Sequence, residues 1–164
     1  MDSDLIAQAE VLLDICRARK LTIAVAESCT GGLLAATLTD VPGSSDVFDR
    51  GFVTYSNAAK QAMLDVPSEI LGEHGAVSRE TAEAMAAGAL LNANVHLCAA
   101  ITGIAGPGGG LPNKPVGLVH IAAASRKGQS LSKECRFGDI GRSQVRRASV
   151  GEAIAMLRRL AEEQ

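Results

Sequence analysis

Two nucleophilic side chains lie side by side in the segment "AESCTGG" at residues 26–32. Ser28 and Cys29 each carry an atom that can attack a carbonyl carbon, and Gly31 and Gly32 follow them closely. A serine hydroxyl attacks efficiently only when a neighbouring group accepts its proton. The segment is therefore a candidate for acyl-transfer chemistry, provided that the fold brings a base to Ser28.

A candidate base lies in the segment "TYSNAAK" at residues 54–60, where Tyr55, Ser56 and Asn57 precede Lys60. Lysine is protonated at neutral pH, and it accepts a proton only when burial or a positive neighbour lowers its pKa. Taken alone, the sequence favours a solvated Lys60, because lysine side chains are rarely buried.

A third segment, "TGIAGPGGGLPNKPVG" at residues 102–117, follows an apolar run and is rich in glycine. The glycines in its first half are Gly103, Gly106, Gly108, Gly109 and Gly110. Consecutive backbone amides in such a loop can bind an anion, and Lys114 could add a positive charge or lie in solvent. No lysine and hydroxyl pair follows at the spacing of a P-loop, so the segment is not one.

The segment at residues 26–32 also has a simpler interpretation. Ser28 or Thr30 could cap the helix that follows, and spacing alone favours that role. Cys29 is a rival nucleophile, since a helix N-terminus lowers the pKa of a thiol. The residues alone leave these alternatives open.

The composition indicates one domain, residues 1–164, with an aliphatic core. Hydrophobic residues make up 47% of the chain, but it has only three Phe, one Tyr and no Trp. The net charge of −2 and the few aromatic rings argue against nucleic acid as a partner. The chain has no signal-peptide pattern, and no apolar run reaches the roughly 18 residues of a membrane span. We therefore expect a cytoplasmic protein without membrane contact.

The cysteines and histidines show no spacing typical of a disulfide framework or a metal site. The four cysteines are scattered, and His74 is predicted in a loop, whereas His96 and His120 lie in apolar strand patterns. We expect reduced thiols, no metal and no cofactor.

Hydrophobic periodicity predicts alternating helices and buried strands. The predicted strands are residues 21–26, 47–55, 95–101, 116–124 and 130–137, the last two as an antiparallel hairpin. Helices are predicted from about residue 5, at 33–38, at 57–64, after Ser78 and at 142–161, with a turn or short helix from Pro67. This succession indicates an α/β fold, a single-domain α/β/α sandwich with a mixed, mostly parallel sheet. Chemistry in such folds lies where the strands end and loops begin.

Taken together, the segments resemble the CinA C-terminal domain family, whose stand-alone members include nicotinamide mononucleotide deamidases. The matching blocks are "AESCTGG" at 26–32, "GFVTYSNAAK" at 51–60, "GAVSRETAEAMAAGA" at 75–89, "ITGIAGPGGG" at 101–110, "KPVGLV" at 114–119 and "FGDIGRSQVRR" at 137–147. They follow one another in order over most of the chain, and their combination is specific, whereas each block alone is not.

The resemblance implies hydrolysis of the carboxamide of nicotinamide mononucleotide to nicotinate mononucleotide and ammonia, a step of pyridine nucleotide salvage. It assigns Ser28 as the nucleophile in preference to Cys29, and Lys60 as the base. Tyr55 would assist the proton transfer or orient Lys60. No metal or cofactor takes part.

The resemblance also implies contacts to the substrate. The expected oxyanion donors are the amides of Thr30, Gly31 and Gly32, with Thr102 and Gly103 as competitors. The phosphate would meet the glycine loop, Gly106 to Gly110, and either Arg142 or Arg146, although a solvated helix face is an equal alternative for both arginines. Asn57 and Glu27 complete the predicted substrate-binding set, and the role of Glu27, catalytic or structural, stays open.

The expected partners are a small-molecule nucleotide substrate and a second copy of the chain, most simply in a homodimer. A different class of function stays open: a non-catalytic module that binds a nucleotide or a protein partner, in line with the family's association with competence and DNA damage. Such a module would need the glycine loop but not the trio of Ser28, Tyr55 and Lys60.

Overall fold

A five-stranded sheet organises the computed structural model of the protein, which describes residues 2–164. The strands are β1 (Ile23–Glu27), β2 (Phe48–Val53), β3 (Leu97–Gly103), β4 (Leu118–Ser125) and β5 (Ser130–Arg136). The helices are α1 (Ser3–Arg19), α2 (Leu33–Thr39), α3 (Asn57–Leu64), α4 (Ser68–His74), α5 (Arg79–Asn92) and α6 (Arg142–Glu162), and a short 3₁₀ helix spans Ser44–Asp46. All of the predicted strands and helices are present, but His74 ends α4 instead of lying in a loop.

The sheet has the strand order β2-β1-β3-β4-β5. β1 pairs parallel with both β2 and β3, whereas β4 pairs antiparallel with β3 and with β5. β4 alone therefore runs against the other strands, which confirms the prediction of a mixed, mostly parallel sheet. The carboxyl ends of β1, β2 and β3 meet at one edge, which we call the catalytic edge.

Helices cover both faces of the sheet, as predicted for an α/β/α sandwich. One face packs against α1, α2 and α6, and the other packs against α5, which in turn contacts α3 and α4. The whole of β1 is buried because it lies between two strands and two helical layers, and this explains its continuous apolar sequence.

Small residues bring α3 close to α5. A methyl group added at Gly88 in α5 would lie 1.8 Å from the carbonyl oxygen of Leu64, the last residue of α3. No side chain other than hydrogen fits this contact without moving the backbone. The position of α3 against the sheet is therefore set by direct backbone contact.

All four cysteines are buried free thiols. Within residues 2–164, no helix is both long and apolar enough to cross a membrane.

Candidate active site

Ser28 stands at the catalytic edge, directly after β1. Its amide donates to the carbonyl oxygen of Ile101 in β3 at 2.9 Å, and its own carbonyl accepts from Gly31 at 3.0 Å. Gly31 and Gly32 have φ values of 57° and 100°, a backbone conformation that favours glycine and turns the chain into α2. We call residues 28–32 the Ser28 turn. The hydroxyl of Ser28 does not cap α2, so the capping interpretation was wrong.

The side chain of Lys60 contacts the hydroxyl group of Ser28. Its Nζ atom lies 2.9 Å from Ser28 Oγ and donates to the carbonyl oxygen of Thr54 at 2.9 Å. Ser56 caps α3 by accepting from the amide of Ala59, which places Lys60 one turn into the helix with its side chain directed inward. Lys60 is 1% exposed, so the sequence-based expectation of a solvated lysine was wrong.

Burial lowers the pKa of Lys60, because the charged ammonium loses its hydration, and the Cys29 thiol opposes this shift only in part. The neutral amine can then accept the Ser28 proton while one of its N–H bonds points at the carbonyl of Thr54. Cys29 lies beside the pair, and burial raises the pKa of its thiol to about 11. The thiol is therefore protonated at neutral pH, whereas Ser28 has the Lys60 amine within hydrogen-bonding distance.

A cavity of about 270 Å³ opens onto Ser28 and Lys60. Its walls are Ser28, Cys29, Tyr55, Asn57, Lys60, Ala76, Val77, Thr102, Gly103, Ile104, Ala105, Gly106, Gly108, Gly109 and Arg142. Three of the predicted segments therefore meet here, together with the first residue of α6. A larger cavity, of about 700 Å³, lies over β4 and β5, and its lining includes neither member of the Ser28 and Lys60 pair.

Arg142 closes one side of the cavity. Its guanidinium donates to the Tyr55 hydroxyl at 2.6 Å and to the carbonyl oxygen of Gly106 at 2.8 Å. The Tyr55 hydroxyl contacts Arg142, and the carbonyl of Thr54 contacts Lys60, so the role of Tyr55 in assisting the proton transfer or orienting Lys60 stays a prediction. Tyr55 is 58% exposed at the cavity mouth, where an incoming ligand would meet it first.

Two residues predicted to contact the substrate make hydrogen bonds to the Ser28 turn or to the helix that follows it. The carboxyl oxygens of Glu27 accept from the amides of Leu34 and Ala35 at 2.9 and 3.0 Å, and the residue is fully buried. Arg146 donates to the carbonyl oxygen of Thr30 at 2.8 Å. Neither Glu27 nor Arg146 lines the cavity. Of the two arginines, Arg142 is the one that lines the cavity.

Some of the remaining residues predicted to contact the substrate line the cavity, and others do not. The amide of Gly31 donates to Ser28, which removes it from the candidate oxyanion donors. Thr30 is fully buried outside the cavity lining, and its hydroxyl has no hydrogen-bond partner among the described residues. Gly31, Gly32 and Gly110 lie outside the cavity lining, whereas Thr102 and Gly103 lie within it.

Sequence reasoning missed several cavity residues because their side chains are apolar or act through the backbone. Ala76, Val77, Ile104 and Ala105 line the walls, and the Thr54 carbonyl holds the lysine. The sequence blocks at residues 75–89 and 101–110, which carry part of the family resemblance, were the signal that could have identified these cavity residues. Across residues 2–164, no cluster of three His, Cys, Asp or Glu side chains is placed to hold a metal ion.

Comparisons with known proteins place the chain among relatives with the same architecture. The crystal structure of the competence/damage inducible protein CihA from Agrobacterium tumefaciens has a TM-score of 0.96 and 49% identity, covering 100% of this chain and 98% of that one. The nicotinamide-nucleotide amidohydrolase PncC of Escherichia coli (strain K12) is 46% identical over 157 residues, 95% of this chain and 94% of the relative. A CinA-like protein of Parasynechococcus marenigrum (strain WH8102) is 51% identical over 152 residues, 92% of this chain, but the match spans only 36% of the relative's length.

The model of the CinA C-terminal domain family matches residues 6–161, which includes every residue of the Ser28, Tyr55 and Lys60 trio and both arginines. The chain belongs to the CinA C-terminal domain family.

Proposed function

We propose that the protein hydrolyses the carboxamide of nicotinamide mononucleotide to nicotinate mononucleotide and ammonia, with Ser28 as nucleophile and Lys60 as base. The observation that carries the proposal is the 2.9 Å contact between Ser28 Oγ and Nζ of a lysine that is 1% exposed. The match to the Escherichia coli nicotinamide-nucleotide amidohydrolase over almost the whole of both chains supports the choice of substrate.

The reaction begins when neutral Lys60 accepts the Ser28 proton as Oγ bonds to the amide carbon. The carbonyl oxygen becomes an oxyanion next to the Ser28 turn. The amide of Cys29 is the donor we assign to it from this turn, because Cys29 lines the cavity, whereas Thr30 is fully buried outside the lining and the Gly31 amide is engaged by Ser28. One such donor is worth about 3 kcal/mol in the transition state.

Collapse of the tetrahedral intermediate breaks the C–N bond, and the Lys60 ammonium returns the proton to the departing nitrogen as ammonia. The ester on Ser28 is then attacked by water, which loses its proton to Lys60. The C–Oγ bond breaks as the Lys60 ammonium returns a proton to Ser28 Oγ, and the acid product loses its remaining proton to solvent and leaves as the carboxylate. Lys60 acts alternately as base and acid, a role that requires a pKa lowered towards neutrality.

The cavity orients the nucleotide along the catalytic edge. The phosphate meets the guanidinium of Arg142 and the backbone of Gly106, Gly108 and Gly109, because arginine and loop amides are the usual partners of phosphate. Arg142 exchanges its contacts with Tyr55 and Gly106 for the phosphate oxygens. The pyridine ring lies against the apolar wall formed by Val77 and Ile104, and Asn57 contacts the ribose.

A non-catalytic nucleotide-binding module is the alternative. A buried lysine held against a serine hydroxyl disfavours it, since burying an amine lowers stability and brings a binding module no benefit. The predicted homodimer stays a prediction.

The decisive experiment measures ammonia release from nicotinamide mononucleotide by the purified protein. Ser28→Ala should abolish release while circular dichroism shows an unchanged fold, and Ser132→Ala, an exposed serine on β5, should retain full activity. If the wild type binds the nucleotide but releases no ammonia above the enzyme-free rate, the protein is a binding module.

A further inference from the structure

Glu27 connects the Ser28 turn to the segment that holds Lys60. Its carboxyl group accepts from the amides of Leu34 and Ala35, the second and third residues of α2. Its backbone carbonyl accepts from the amide of Thr54 at 2.8 Å, and the Thr54 carbonyl in turn accepts from Lys60. Glu27, which is fully buried, therefore bonds both the helix that follows Ser28 and the Thr54 backbone that accepts from Lys60.

The Glu27 carboxyl group takes the place of a capping side chain at the start of α2. Gly32, the residue before α2, has no side chain that could bond the free amides of the first helical turn. Glu27 supplies that bond from the end of β1, seven and eight residues away in sequence. The path of the chain between Glu27 and Leu34, which includes Ser28, is thus closed into a fixed loop.

Arg146 holds the same loop from α6. Its guanidinium donates to the Thr30 carbonyl, which also accepts from the amide of Leu33 at 3.0 Å. Arg146 is half-buried, and a methyl group at Gly31 would lie 3.7 Å from its Nη2 atom, so the guanidinium rests directly on the turn. One side chain from β1 and one from α6 therefore hold the Ser28 turn and the start of α2 that follows it.

We propose that Glu27 and Arg146 are positioning residues, which keep Ser28 Oγ in line with Lys60 without touching the substrate. The kinetic part of the test rests on the proposed function. Displacement of a reacting atom by about 1 Å lowers a rate by about 100-fold, whereas the walls that bind the nucleotide belong to other segments. Loss of either side chain should therefore lower kcat and leave KM almost unchanged.

The first test compares Glu27→Gln and Arg146→Met with the wild type. We expect kcat to fall about tenfold or more in each, with KM changed less than about twofold. Arg146→Lys keeps a donor and should recover part of the loss. Arg147→Met, the exposed neighbour in α6, is the matched control and should keep wild-type kcat. Ile154→Val, which only loosens the buried face of α6, controls for lowered stability.

The second test does not need the natural substrate. An alkyl fluorophosphonate labels activated serines, and the rate at which it labels Ser28 reads the alignment of Ser28 with Lys60 directly. We expect Glu27→Gln and Arg146→Met to slow labelling about as much as they lower kcat. If the wild type is labelled but releases no ammonia, the proposed substrate is wrong while the positioning role is still measured.

One result would overturn the proposal: variants at Glu27 and Arg146 that melt at lower temperature, as Ile154→Val does, yet keep wild-type kcat and labelling rate. Both residues would then be structural only. The Arg146 variants decide the question by themselves if Glu27→Gln does not fold.

Discussion

Lys60 is the largest side chain among those less than 2% exposed, although lysine is among the residue types least often buried. Three features make its burial tolerable: capping of α3 by Ser56, the Thr54 carbonyl as acceptor, and Ser28 Oγ as the second partner. Desolvation lowers the pKa of this amine and so makes the neutral form more accessible than it is for a lysine in water. In the proposed mechanism, the same desolvation that costs stability provides the base for Ser28.

A pH dependence follows from this residue. The pKa of Lys60 is lowered, and the neutral amine is the active form, so kcat/KM should rise with pH through the lowered pKa and level off below the ordinary lysine value of about 10.4. Ammonia release measured between pH 6 and pH 10 checks this. Lys60→Met should lose turnover at every pH and retain nucleotide binding. A rate that is flat over this range would remove Lys60 from the proton transfer.

At the scale of elements, the site depends on how closely α3 approaches α5. The chain needs hydrogen at Gly88 because the Leu64 carbonyl lies where a methyl group would be. α3 begins at the cavity and carries Lys60, so a shift of this helix moves the base relative to Ser28. The alanine-rich buried face of α5 has a functional consequence here, since it places α3 within reach of the catalytic edge.

Gly88→Ala should therefore impair both stability and catalysis. We expect unfolding to become easier by about 3 kcal/mol, the upper range for overpacking a core, and kcat to fall about 100-fold as α3 is displaced. Thermal unfolding and ammonia release measure the two effects.

Gly72→Ala is the matched control, since it lies in α4 with nothing within 4 Å of an added methyl group. It should raise stability by about 0.5 to 1 kcal/mol, because alanine favours the helix, and leave kcat unchanged. Equal effects of the two substitutions would contradict the steric argument.

At the scale of the whole molecule, one sheet supplies side chains to both layers of the core. Along β1 and β3, residues such as Val25 and Ala99 face α1 and α6, whereas Ala26 and Ala100 face α5. If the helices on one face were lost, the apolar side chains of the same strands on that face would be exposed to water. We infer that the chain is one folding unit, as its composition predicted.

A single cooperative unfolding transition is the expected consequence. The calorimetric enthalpy should equal the van't Hoff enthalpy, and the midpoint from helix circular dichroism should coincide with the calorimetric one. Buried methyl groups from the two layers, followed by NMR, should lose their native signals together. Two separate transitions would show that the layers are independent units.

Much of this protein was determined by local sequence. Continuous apolar runs predicted the buried strands, since a strand between two helical layers is apolar along its whole length, and helical periodicity predicted the helices. Capping by Ser56 and Ser78 follows from local rules as well. The resemblance of six short blocks to one family pointed to Ser28 and Lys60, which local pattern alone assigned to a cap and to the solvent.

Only the tertiary structure decided what each polar residue contacts. The partners of Ser28, Tyr55 and Thr30 lie 32, 87 and 116 residues away in sequence, at Lys60, Arg142 and Arg146. The tertiary structure decides that burial lowers the pKa of Lys60, that the Tyr55 hydroxyl contacts Arg142, and which groups Glu27 and Arg146 contact. These quantities depend on which segments the sheet order brings to one edge, and no local pattern of residues contains that information.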